Sequence, residues 1–530
     1  MKKKYFIIGF LAIGVVALPI FGLGELLWIV NYHLAARGRV ESVRLEQPPP
    51  CQNCNLLLIS LDTVRADLMG FLGSTAGLTP NLDKIAEQSI VFTSAYSAAY
   101  FTTPSHMTVF TSLFPTTHQV ESRNVSFPDK IKEARNLQKK VFRLKTENTA
   151  NALNTRYQTL AEVLAAANFR AEWHGSSRTR FFDFRDGFGR GFHSNQGSPF
   201  FRGLELAHFA NKGFDLKSLG GLLGNQRAFL FFHTYAAHSP YFFRGADRKS
   251  PQALIPYDRT LLESVRLRVT ERPELLANQS DRATLSKQEE SDIIHHCTTY
   301  TDMRPCFSRH LTLDGFWHGV GAWQQYFAYK TLLGVDEETF AHELPLLTDA
   351  YEDGLRDLDL QVGQLWRELE RTGALRNTLV VFFSDHGEEI YDHGQLGHWN
   401  FYEHTARVPV IVYHPLMRRN IRSDSLFSLV DMMPMILSIL NIDSPKQVQG
   451  HVPWVSQNKY VFGATLGSSY VRDQDWKFMR DFEGEEELYY LPLDPMEKVN
   501  LIEYKNIWVK QALSRLQQAQ RDWMLSQSLD

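Results

Sequence analysis

The chain contains 530 residues, of which 44% are hydrophobic, and its 56 basic and 59 acidic residues leave a formal net charge of -3. A chain of this length and composition buries a large core, which predicts one large α/β domain together with a smaller one. The balanced charge provides no basic field for nucleic acid, and the lack of internal repeats and low-complexity tracts excludes a solenoid or a long disordered linker.

The N-terminus has the pattern of a membrane anchor. Three lysines precede an uncharged run over residues 5–24. A helix of about twenty residues spans roughly 30 Å, the thickness of the hydrocarbon core of a bilayer. Because lysines favour the cytoplasmic side, we expect a cytoplasmic N-terminus over residues 1–4, a single-pass anchor over residues 5–31 and the rest of the chain outside the cytoplasm, periplasmic or extracellular. A cleaved signal peptide is the alternative, since Ala35 and Ala36 offer small residues for cleavage.

Residues 32–54 are predicted to form a linker between the anchor and the globular part, stiffened by three consecutive prolines. The linker ends with Cys51 and Cys54, whose spacing also occurs in redox and zinc sites. No second pair at matching spacing and no thioredoxin-like pattern accompanies them, so we expect a local disulfide or two free thiols. Farther along the chain, Cys297 and Cys306 enclose a short loop and form a second candidate pair.

Three apolar runs predict strands that are buried on both faces of a sheet, at residues 56–59, 229–232 and 378–383. In an open α/β sheet, ligands bind at the carboxyl ends of the strands. Each run is followed by polar residues suited to such a site: Asp62, then His233 and His238, then Asp385 and His386. The pattern therefore predicts a polar site where these three strands end.

Helices are predicted between and after these strands. Leucine or valine recurs at intervals of three and four residues over residues 355–369, which is typical of a helix packed on a core. A second helix is predicted over residues 159–167. From about residue 455 the chain changes to short apolar runs separated by turn residues, which predicts a small antiparallel sheet. A helix over residues 507–524 is expected to close the chain.

The segment Thr102-Thr103-Pro104-Ser105-His106 resembles the signature of the sulfatase family of the alkaline phosphatase superfamily, in which the nucleophile is followed by any residue, Pro, Ser and then Arg or His. Other segments resemble landmarks of this family in the same order along the chain: residues 55–67, 79–83, 384–388, 397–398, 402–403, 407–409, 487–489 and 494–501. The resemblance implies an α/β fold with a large mixed sheet sandwiched by helices and a smaller C-terminal subdomain built on a short antiparallel sheet.

The resemblance also implies the domain boundaries. A sulfatase-like catalytic domain is expected over residues 55–455, followed by a C-terminal subdomain over residues 456–530. Two segments are predicted to be insertions, near residues 121–156 and 249–325. The second insertion contains the histidine pair His295-His296, which could ligate a metal. Adjacent residues on a helix point about 100° apart and rarely share one ion, so we expect a solvated or substrate-facing role for this pair.

By the same resemblance, one divalent metal ion is held by Asp62, Asp385 and His386. Thr102 stands at the position of the nucleophile. Three histidines are implied to contact the substrate and to handle protons and the oxyanion, namely His106, His238 and His398. Because His386 offers a nitrogen ligand, we expect zinc or manganese, with calcium as the alternative. The alternative for the two acids is that they cap helices or turns, as acids after strands often do.

Threonine at position 102 departs from the family, whose members oxidise a cysteine or serine to formylglycine. Oxidation of threonine would give a ketone, so the standard sulfatase cycle is closed to this residue, whereas a threonine alkoxide near a divalent ion can attack phosphorus. The sequence therefore predicts a membrane-anchored, metal-dependent hydrolase of sulfate or phospho esters that favours phosphodiester or phosphonate-type monoanions. The expected substrate is an ester of a small molecule, a glycan or a lipid.

Three alternatives stay open. The first is a sulfuric ester hydrolase of the arylsulfatase type, in which Thr102 has another role. The second is a phosphoethanolamine-type transferase acting on an envelope lipid or glycan, although such transferases usually carry several membrane spans. The third is an inactive binding protein that retains the sulfatase fold.

Overall fold

The computed structural model describes residues 45–121, 152–174, 184–195, 227–238, 337–394, 396–417, 419–465 and 467–527. Within these ranges no helix combines the length and the hydrophobicity that a membrane span requires. The predicted anchor over residues 5–31 lies outside the described residues, as do most of the linker, most of the first predicted insertion and the whole of the second. The pairs His295-His296 and Cys297-Cys306 lie there too.

The strands of the described residues are β1 (Asn55–Leu61), β2 (Ile90–Phe92), β3 (Ala95–Tyr96), β4 (Phe169–His174), β5 (Ser194–Asn195), β6 (Arg227–Thr234), β7 (Thr378–Phe383), β8 (Glu389–Ile390), β9 (Leu396–Gly397), β10 (Val410–Tyr413), β11 (Ile421–Ser423), β12 (Phe427–Ser428), β13 (Val461–Thr465), β14 (Ser468–Arg472), β15 (Trp476–Arg480) and β16 (Glu486–Tyr490). One mixed sheet of 8 strands has the order β11-β2-β10-β7-β1-β6-β4-β5. In this sheet β10 runs antiparallel to its two neighbours, and the other strands share one direction.

The centre of this sheet is the parallel trio β7-β1-β6, which corresponds to the three apolar runs of the sequence. Leu58 of β1 lies opposite Phe231 of β6 and Val381 of β7. Successive side chains of a strand point to opposite faces, so Leu56 and Leu58 enter one hydrophobic core and Leu57 enters the other. The prediction of strands buried on both faces is confirmed.

The helices of the described residues are α1 (Pro80–Ala86), α2 (Thr102–Thr111), α3 (Pro115–His118), α4 (Leu160–Ala166), α5 (Glu337–Thr372), α6 (Glu403–Ala406), α7 (Met432–Ile439) and α8 (Ile507–Ser526). Helices α2, α4 and α7 share a core with one face of the sheet, and α1 and α5 share a core with the other face. The predicted sandwich of helices around a mixed sheet is therefore confirmed. The apolar stripe expected in α5 is buried at Leu355, Leu358, Val362, Leu365 and Leu369.

Two helices begin at capping side chains. In α4, the hydroxyl of Thr159 accepts a hydrogen bond from the Glu162 amide, and the Glu162 carboxylate accepts one from the Thr159 amide. The start of α1 is capped from α5, because the Asp359 carboxylate accepts hydrogen bonds from the amides of Asn81 at 3.0 Å and Leu82 at 2.8 Å. This cap ties together two helices that are distant in the chain.

The C-terminal part contains the predicted small antiparallel sheet, in the order β13-β14-β15-β16. Helix α8, which was predicted over residues 507–524, packs on this sheet through Val509, which shares a core with Phe478 of β15. Lys477 of β15 is buried, and its Nζ lies 2.9 Å from Glu497 Oε1 and 3.2 Å from Glu403 Oε1 in α6. This cluster of charges joins the C-terminal sheet to the larger part of the molecule.

Cys51 and Cys54 form a disulfide with a Cα–Cα distance of 5.4 Å, one of the two states expected from the sequence. The Cys51 amide donates a hydrogen bond to the carbonyl of Ile439 at the end of α7. The disulfide loop is therefore fixed to the core immediately before β1 begins.

Candidate active site

The three central strands β7, β1 and β6 end at one cluster of polar side chains. Asp62 directly follows β1, Asp385 and His386 follow β7, and His233 lies near the end of β6. One ligand atom from each of Asp62, Asp385 and His386 lies within 4.8 Å of the others, and all three side chains are fully buried. The structure thus brings together the three residues proposed from the sequence as metal ligands.

Thr102 is the first residue of α2 and points into this cluster. Its Oγ1 lies 3.3 Å from His386 Nε2 and 3.5 Å from Asp62 Oδ2. The first amides of a helix carry no intrahelical partner and give that end a partial positive charge, which favours a negative charge developing nearby. The hydroxyl is therefore placed beside the metal-ligand candidates and at the positive end of a helix.

The two carboxylates are held in an environment that disfavours their charge. Burial raises the pKa of Asp62 to about 7, and burial together with the neighbouring charge of Asp62 raises the pKa of Asp385 to about 7. Asp62 Oδ1 and Asp385 Oδ2 have no hydrogen-bond partner. Unpartnered buried carboxylate oxygens are costly, and a divalent cation between them would satisfy both. The residues present therefore fit a metal ion.

His386 is in the state that a metal ligand requires. Burial lowers the pKa of its imidazole to about 4, so the ring is neutral at neutral pH. Its Nδ1 donates a hydrogen bond to the carbonyl of Gly387 at 2.9 Å, which leaves the lone pair on Nε2. That Nε2 lies 3.3 Å from Asp385 Oδ2 and faces the cluster. A backbone carbonyl that fixes the tautomer in this way is typical of metal-bound histidine.

The loop that carries Asp385 and His386 is held tightly. The hydroxyl of Ser384 donates to the carbonyl of His386 at 2.6 Å and accepts from the amide of Val64 at 3.0 Å, which links the ends of β7 and β1. Gly387 packs so closely that a Cβ there would lie 1.8 Å from the carbonyl oxygen of His404 in α6. Only glycine allows this approach, so the loop has little freedom to move.

The turn after Asp62 contains Thr63, whose φ of 59° lies in the left-handed region that threonine rarely adopts. Its hydroxyl donates to the carbonyl of Asp62 at 2.7 Å, and its carbonyl accepts from the hydroxyl of Tyr351 in α5 at 2.7 Å. Strained residues of this kind cluster at functional sites, where the surrounding structure holds them. Because its hydroxyl is bonded to the backbone, the Thr63 side chain is not among the candidate metal ligands.

His238 and His398 extend the cluster on one side. The ring of His398 lies 4.3 Å from that of His386 and 5.6 Å from that of His238, measured between ring centroids. His398 Nδ1 lies 3.1 Å from Glu388 Oε1, and burial lowers the pKa of the His398 imidazole to about 3. With Nδ1 donating to the Glu388 carboxylate, Nε2 of this neutral ring carries a lone pair that can accept a proton.

His106 lies in a different environment from the one that its proposed role requires. Its Nδ1 donates to the carbonyl of Thr102 at 2.8 Å, and burial lowers its pKa to about 3, so Nε2 accepts the hydroxyl of Ser60 at 2.7 Å. Both ring nitrogens are therefore occupied by protein groups. The geometry favours a positioning role under Thr102 over direct contact with the substrate.

Sequence reasoning did not assign a role to His233, Glu388 or Ser60. His233 Nε2 donates to Asp62 Oδ2 at 2.8 Å, and burial lowers its pKa to about 3, so it orients the carboxylate as a neutral donor. Its position after an apolar run is the signal that placed His233 at the predicted polar site, but it indicated no role. Ser60 lies inside β1 and has no such signal.

A mixed α/β sheet with buried carboxylates, a hydroxyl and histidines at its strand ends is typical of the alkaline-phosphatase-like sulfatase fold. Residues 54–442 match the sulfatase family. The chain therefore belongs to the sulfatase family, whose members are hydrolases that act on ester bonds.

Two relatives match this chain in sequence over a limited segment. Arylsulfatase K of Rattus norvegicus is 28% identical over 168 residues, which are 27% of this chain and 30% of the relative. An arylsulfatase of Clostridium perfringens (strain 13 / Type A) is 31% identical over 175 residues, which are 29% of this chain and 36% of the relative. The chain thus matches only 30% and 36% of the length of these two proteins.

Solved structures resemble nearly the whole chain. The structure of a protein in complex with its substrate D-glucosamine-2-N,6-O-disulfate has a TM-score of 0.59 and 17% sequence identity, and the match covers 88% of this chain and 98% of that one. The phosphonate monoester hydrolase of Agrobacterium radiobacter has a TM-score of 0.54 and 18% identity, covering 90% and 96%. These similarities show the fold, an α/β sulfatase fold with a large mixed sheet and a C-terminal antiparallel sheet.

Proposed function

We propose that this protein is a metal-dependent hydrolase of sulfate or phospho esters that uses Thr102 as its nucleophile and favours phosphodiester or phosphonate-type monoanions. The observation that carries the proposal is the position of Thr102 Oγ1, 3.3 Å from His386 Nε2 and 3.5 Å from Asp62 Oδ2. A hydroxyl among metal-ligand candidates is suited to attack on a tetrahedral centre.

We propose that Asp62, Asp385 and His386 hold one divalent ion, with zinc or manganese favoured and calcium possible. When bound there, such an ion would lower the pKa of the Thr102 hydroxyl and offset the charge of the oxyanion. The side chains of the protein have separate tasks. His233 orients Asp62, His106 fixes the start of α2, and the histidines at positions 238 and 398 exchange protons with the leaving group.

The preference for phosphorus follows from the chemistry of threonine. The proton of the Thr102 hydroxyl would pass to a ring nitrogen of His238 or His398 as the threonine oxygen bonds to phosphorus. The leaving oxygen would take that proton as its own bond to phosphorus breaks. The result is a phosphothreonine ester, which water then hydrolyses to regenerate Thr102. The fold shared with a phosphonate monoester hydrolase is consistent with this preference.

A sulfuric ester hydrolase is the second candidate. The two relatives described above are arylsulfatases, with 28% and 31% identity over part of their length. In this case Thr102 would not be converted to formylglycine and would have a different role, such as binding the sulfate group.

The experiment that separates these candidates compares matched esters. The purified protein is stripped of metal, reloaded with zinc, manganese or calcium, and assayed on an aryl sulfate, a phosphodiester and a phosphonate monoester with the same leaving group. We expect metal-dependent cleavage of the two phosphorus esters. Cleavage of the sulfate ester alone would contradict the preference for phosphorus, and the lack of any turnover would favour a binding protein.

We also propose that the protein is a single-pass membrane protein with its catalytic part outside the cytoplasm, where it acts on an ester of a small molecule, glycan or lipid. The support is the lysine-flanked uncharged run over residues 5–24. The test compares the full chain with a variant lacking residues 1–31 after ultracentrifugation of lysed cells. We expect only the full chain to sediment with membranes, and a mature N-terminus near Ala36 would identify a signal peptide instead.

A further inference from the structure

A second group of metal-ligating side chains lies on the segment that follows the candidate active site. Glu389 belongs to β8, His393 lies in the loop after β8, and His404 lies in α6. One ligand atom from each lies within 4.8 Å of the other two. None of these three residues has a task in the proposed reaction.

The three side chains face each other closely. His393 Nδ1 lies 3.2 Å from both carboxylate oxygens of Glu389, and His404 Nδ1 lies 3.4 Å from Glu389 Oε1. The Glu389 and His404 side chains are 0% and 2% exposed, and that of His393 is 8% exposed. One carboxylate and two imidazoles in a shielded position are a ligand set that zinc prefers.

The tautomer of His393 is suited to binding through Nδ1. Its Nε2 lies 3.0 Å from the carbonyl oxygen of Met496, and a carbonyl only accepts, so the proton is on Nε2. In a neutral ring the lone pair is then on Nδ1, which faces Glu389. A hydrogen bond from the distal nitrogen to a backbone carbonyl is a common support for metal-bound histidine.

His404 provides an independent observation. Its Nδ1 is buried and has no hydrogen-bond partner. The other ring nitrogen faces carboxylates, with Nε2 3.8 Å from Asp392 Oδ1 and 3.9 Å from Asp67 Oδ2. An ion pair between His393 and Glu389 would explain the contact of those two residues. The buried Nδ1 of His404, however, lies 3.4 Å from Glu389 Oε1 without a hydrogen bond, and a cation shared by the three side chains would satisfy it.

The charges around the group leave Glu389 available for a cation. Asp67 and Asp392 are both paired with Arg65, at 2.7 and 2.6 Å. These two acids share the single charge of this arginine. In the described part of the chain no arginine or lysine is paired with Glu389, whose carboxylate contacts the rings of His393 and His404 and the backbone amide of His393.

We propose that Glu389, His393 and His404 form a second metal site, separate from the candidate active site, which binds one zinc-class divalent ion through a carboxylate oxygen and two Nδ1 atoms. Three protein ligands leave one position for water in a tetrahedral site. A bound ion would connect β8 to α6 and would therefore restrain the chain on both sides of His398. Because successive residues of an extended chain point to opposite sides, Glu388 contacts His398 while Glu389 reaches the second ion.

The test counts metal ions in the full-length protein. Wild type, Asp385→Asn, Glu389→Gln and the double variant are equilibrated with zinc, dialysed, and measured by mass spectrometry for zinc per chain. We expect two ions in wild type, one in each single variant and none in the double variant. The matched control is His451→Ala, which removes an exposed histidine far in sequence from both sites and should leave two ions.

A second measurement covers the case in which Glu389→Gln fails to fold. The Asp385→Asn variant keeps Glu389, His393 and His404 intact and is titrated with cobalt alone. We expect one equivalent to bind with the intense visible absorption of a tetrahedral site. If this variant binds no cobalt, or if Glu389→Gln keeps as many zinc ions as wild type, the second site does not exist.

Discussion

At the scale of single residues, Thr102 carries the proposed chemistry, and its hydroxyl can be removed with little change of shape. Thr102→Val replaces the hydroxyl by a methyl group. We expect kcat/KM for a phosphodiester to fall at least about 1,000-fold, because losing a nucleophile removes the covalent step. The measurement is steady-state kinetics of the zinc- or manganese-loaded protein, with metal content determined in parallel.

The control for this substitution lies in the same helix. The hydroxyl of Thr111 donates to the carbonyl of Met107 within α2, away from the cluster. Thr111→Val should therefore retain activity within a few-fold of wild type. If Thr102→Val kept more than a tenth of the activity, the hydroxyl would not be the nucleophile.

His106 and His398 should respond differently to substitution. His106→Asn keeps a donor near the Thr102 carbonyl but loses the contact with Ser60, and we expect kcat to fall about 10- to 100-fold, as for other supporting residues. The pH profile of kcat/KM should keep its shape. In His398→Asn, one limb of that profile should flatten, because a proton carrier is lost. A flattened limb in the His106 variant would restore the role of proton carrier to this residue.

At the scale of elements, the cap that α5 provides to α1 connects two helices on one face of the sheet, and its contribution to stability can be measured. Asp359 is buried and accepts hydrogen bonds from the amides of Asn81 and Leu82. Asp359→Ala would leave these donors unsatisfied, and we expect a loss of about 1–3 kcal/mol in the free energy of unfolding, measured with urea. Asp357→Ala is the control, since that carboxylate accepts a hydrogen bond from Gln361 in its own helix. An equal loss in both variants would argue against the cap.

The elements that the sequence predicts are those in which buried apolar residues recur at regular intervals. The three apolar runs and the stripe of α5 were predicted because their periodicity is set by the sheet and the core that they face. Strands β8 and β9 are only two residues each, and α6 has four, so they have no periodic pattern. Their positions depend on tertiary contacts, such as the contact between Gly387 and His404, which no local sequence pattern reveals.

The candidate site was predictable to a similar extent. Asp62, Asp385 and His386 follow apolar runs, which predicts their place at strand ends, whereas their role as ligands and the role of Thr102 come from the resemblance to the sulfatase signature. The orientation of His106 toward Ser60 was not, since it depends on how α2 crosses β1. The group around Glu389 was also not predicted, because His404 comes from another element and the three residues do not form a compact motif.

At the scale of the whole molecule, the charge cluster around Lys477 connects the C-terminal sheet to α6. Its ammonium group is buried between the carboxylates of Glu403 and Glu497. Lys477→Met would leave two buried acids without this partner, and we expect a loss of about 3–5 kcal/mol in the free energy of unfolding. The measurement is denaturant unfolding.

The control for this prediction is in the same strand. Arg480 pairs with Glu486 at the surface, where its side chain is 51% exposed. Such pairs contribute about 1 kcal/mol or less, so Arg480→Met should have a small effect. Similar losses in the two variants would show that burial does not distinguish the pairs.

The stability of the metal-free protein should depend on pH in a defined direction. Burial raises the pKa of Asp62 and of Asp385 from 3.8 to about 7, so the folded chain binds these protons more tightly than the unfolded chain. This contribution is fully present below about pH 4 and is lost as the pH rises through 7. A metal ion requires the ionised carboxylates, so the gain in Tm on adding zinc should be larger at pH 8 than at pH 5.

The size of the gain follows from mass action. Zinc at 100 times its Kd stabilises by about 2.7 kcal/mol, which scanning fluorimetry of chelator-treated protein resolves as a shift in Tm. Introduced into Glu389→Gln, which lacks the second proposed site, Asp385→Asn should remove most of the pH-dependent part of that shift. An equal shift at both pH values in the wild type would contradict the assignment of the two carboxylates as ligands.

The outermost strand on one side of the large sheet bears on aggregation. Within the described residues the sheet ends on β11, which has 3 residues, and its middle residue Arg422 is exposed and charged. The Arg422 guanidinium also donates to the carbonyl of Phe71, which holds the arginine at the rim. A short, charged border is a poor template for a strand from another molecule. The short, charged strand β11 therefore disfavours edge-to-edge pairing between molecules at this side of the sheet.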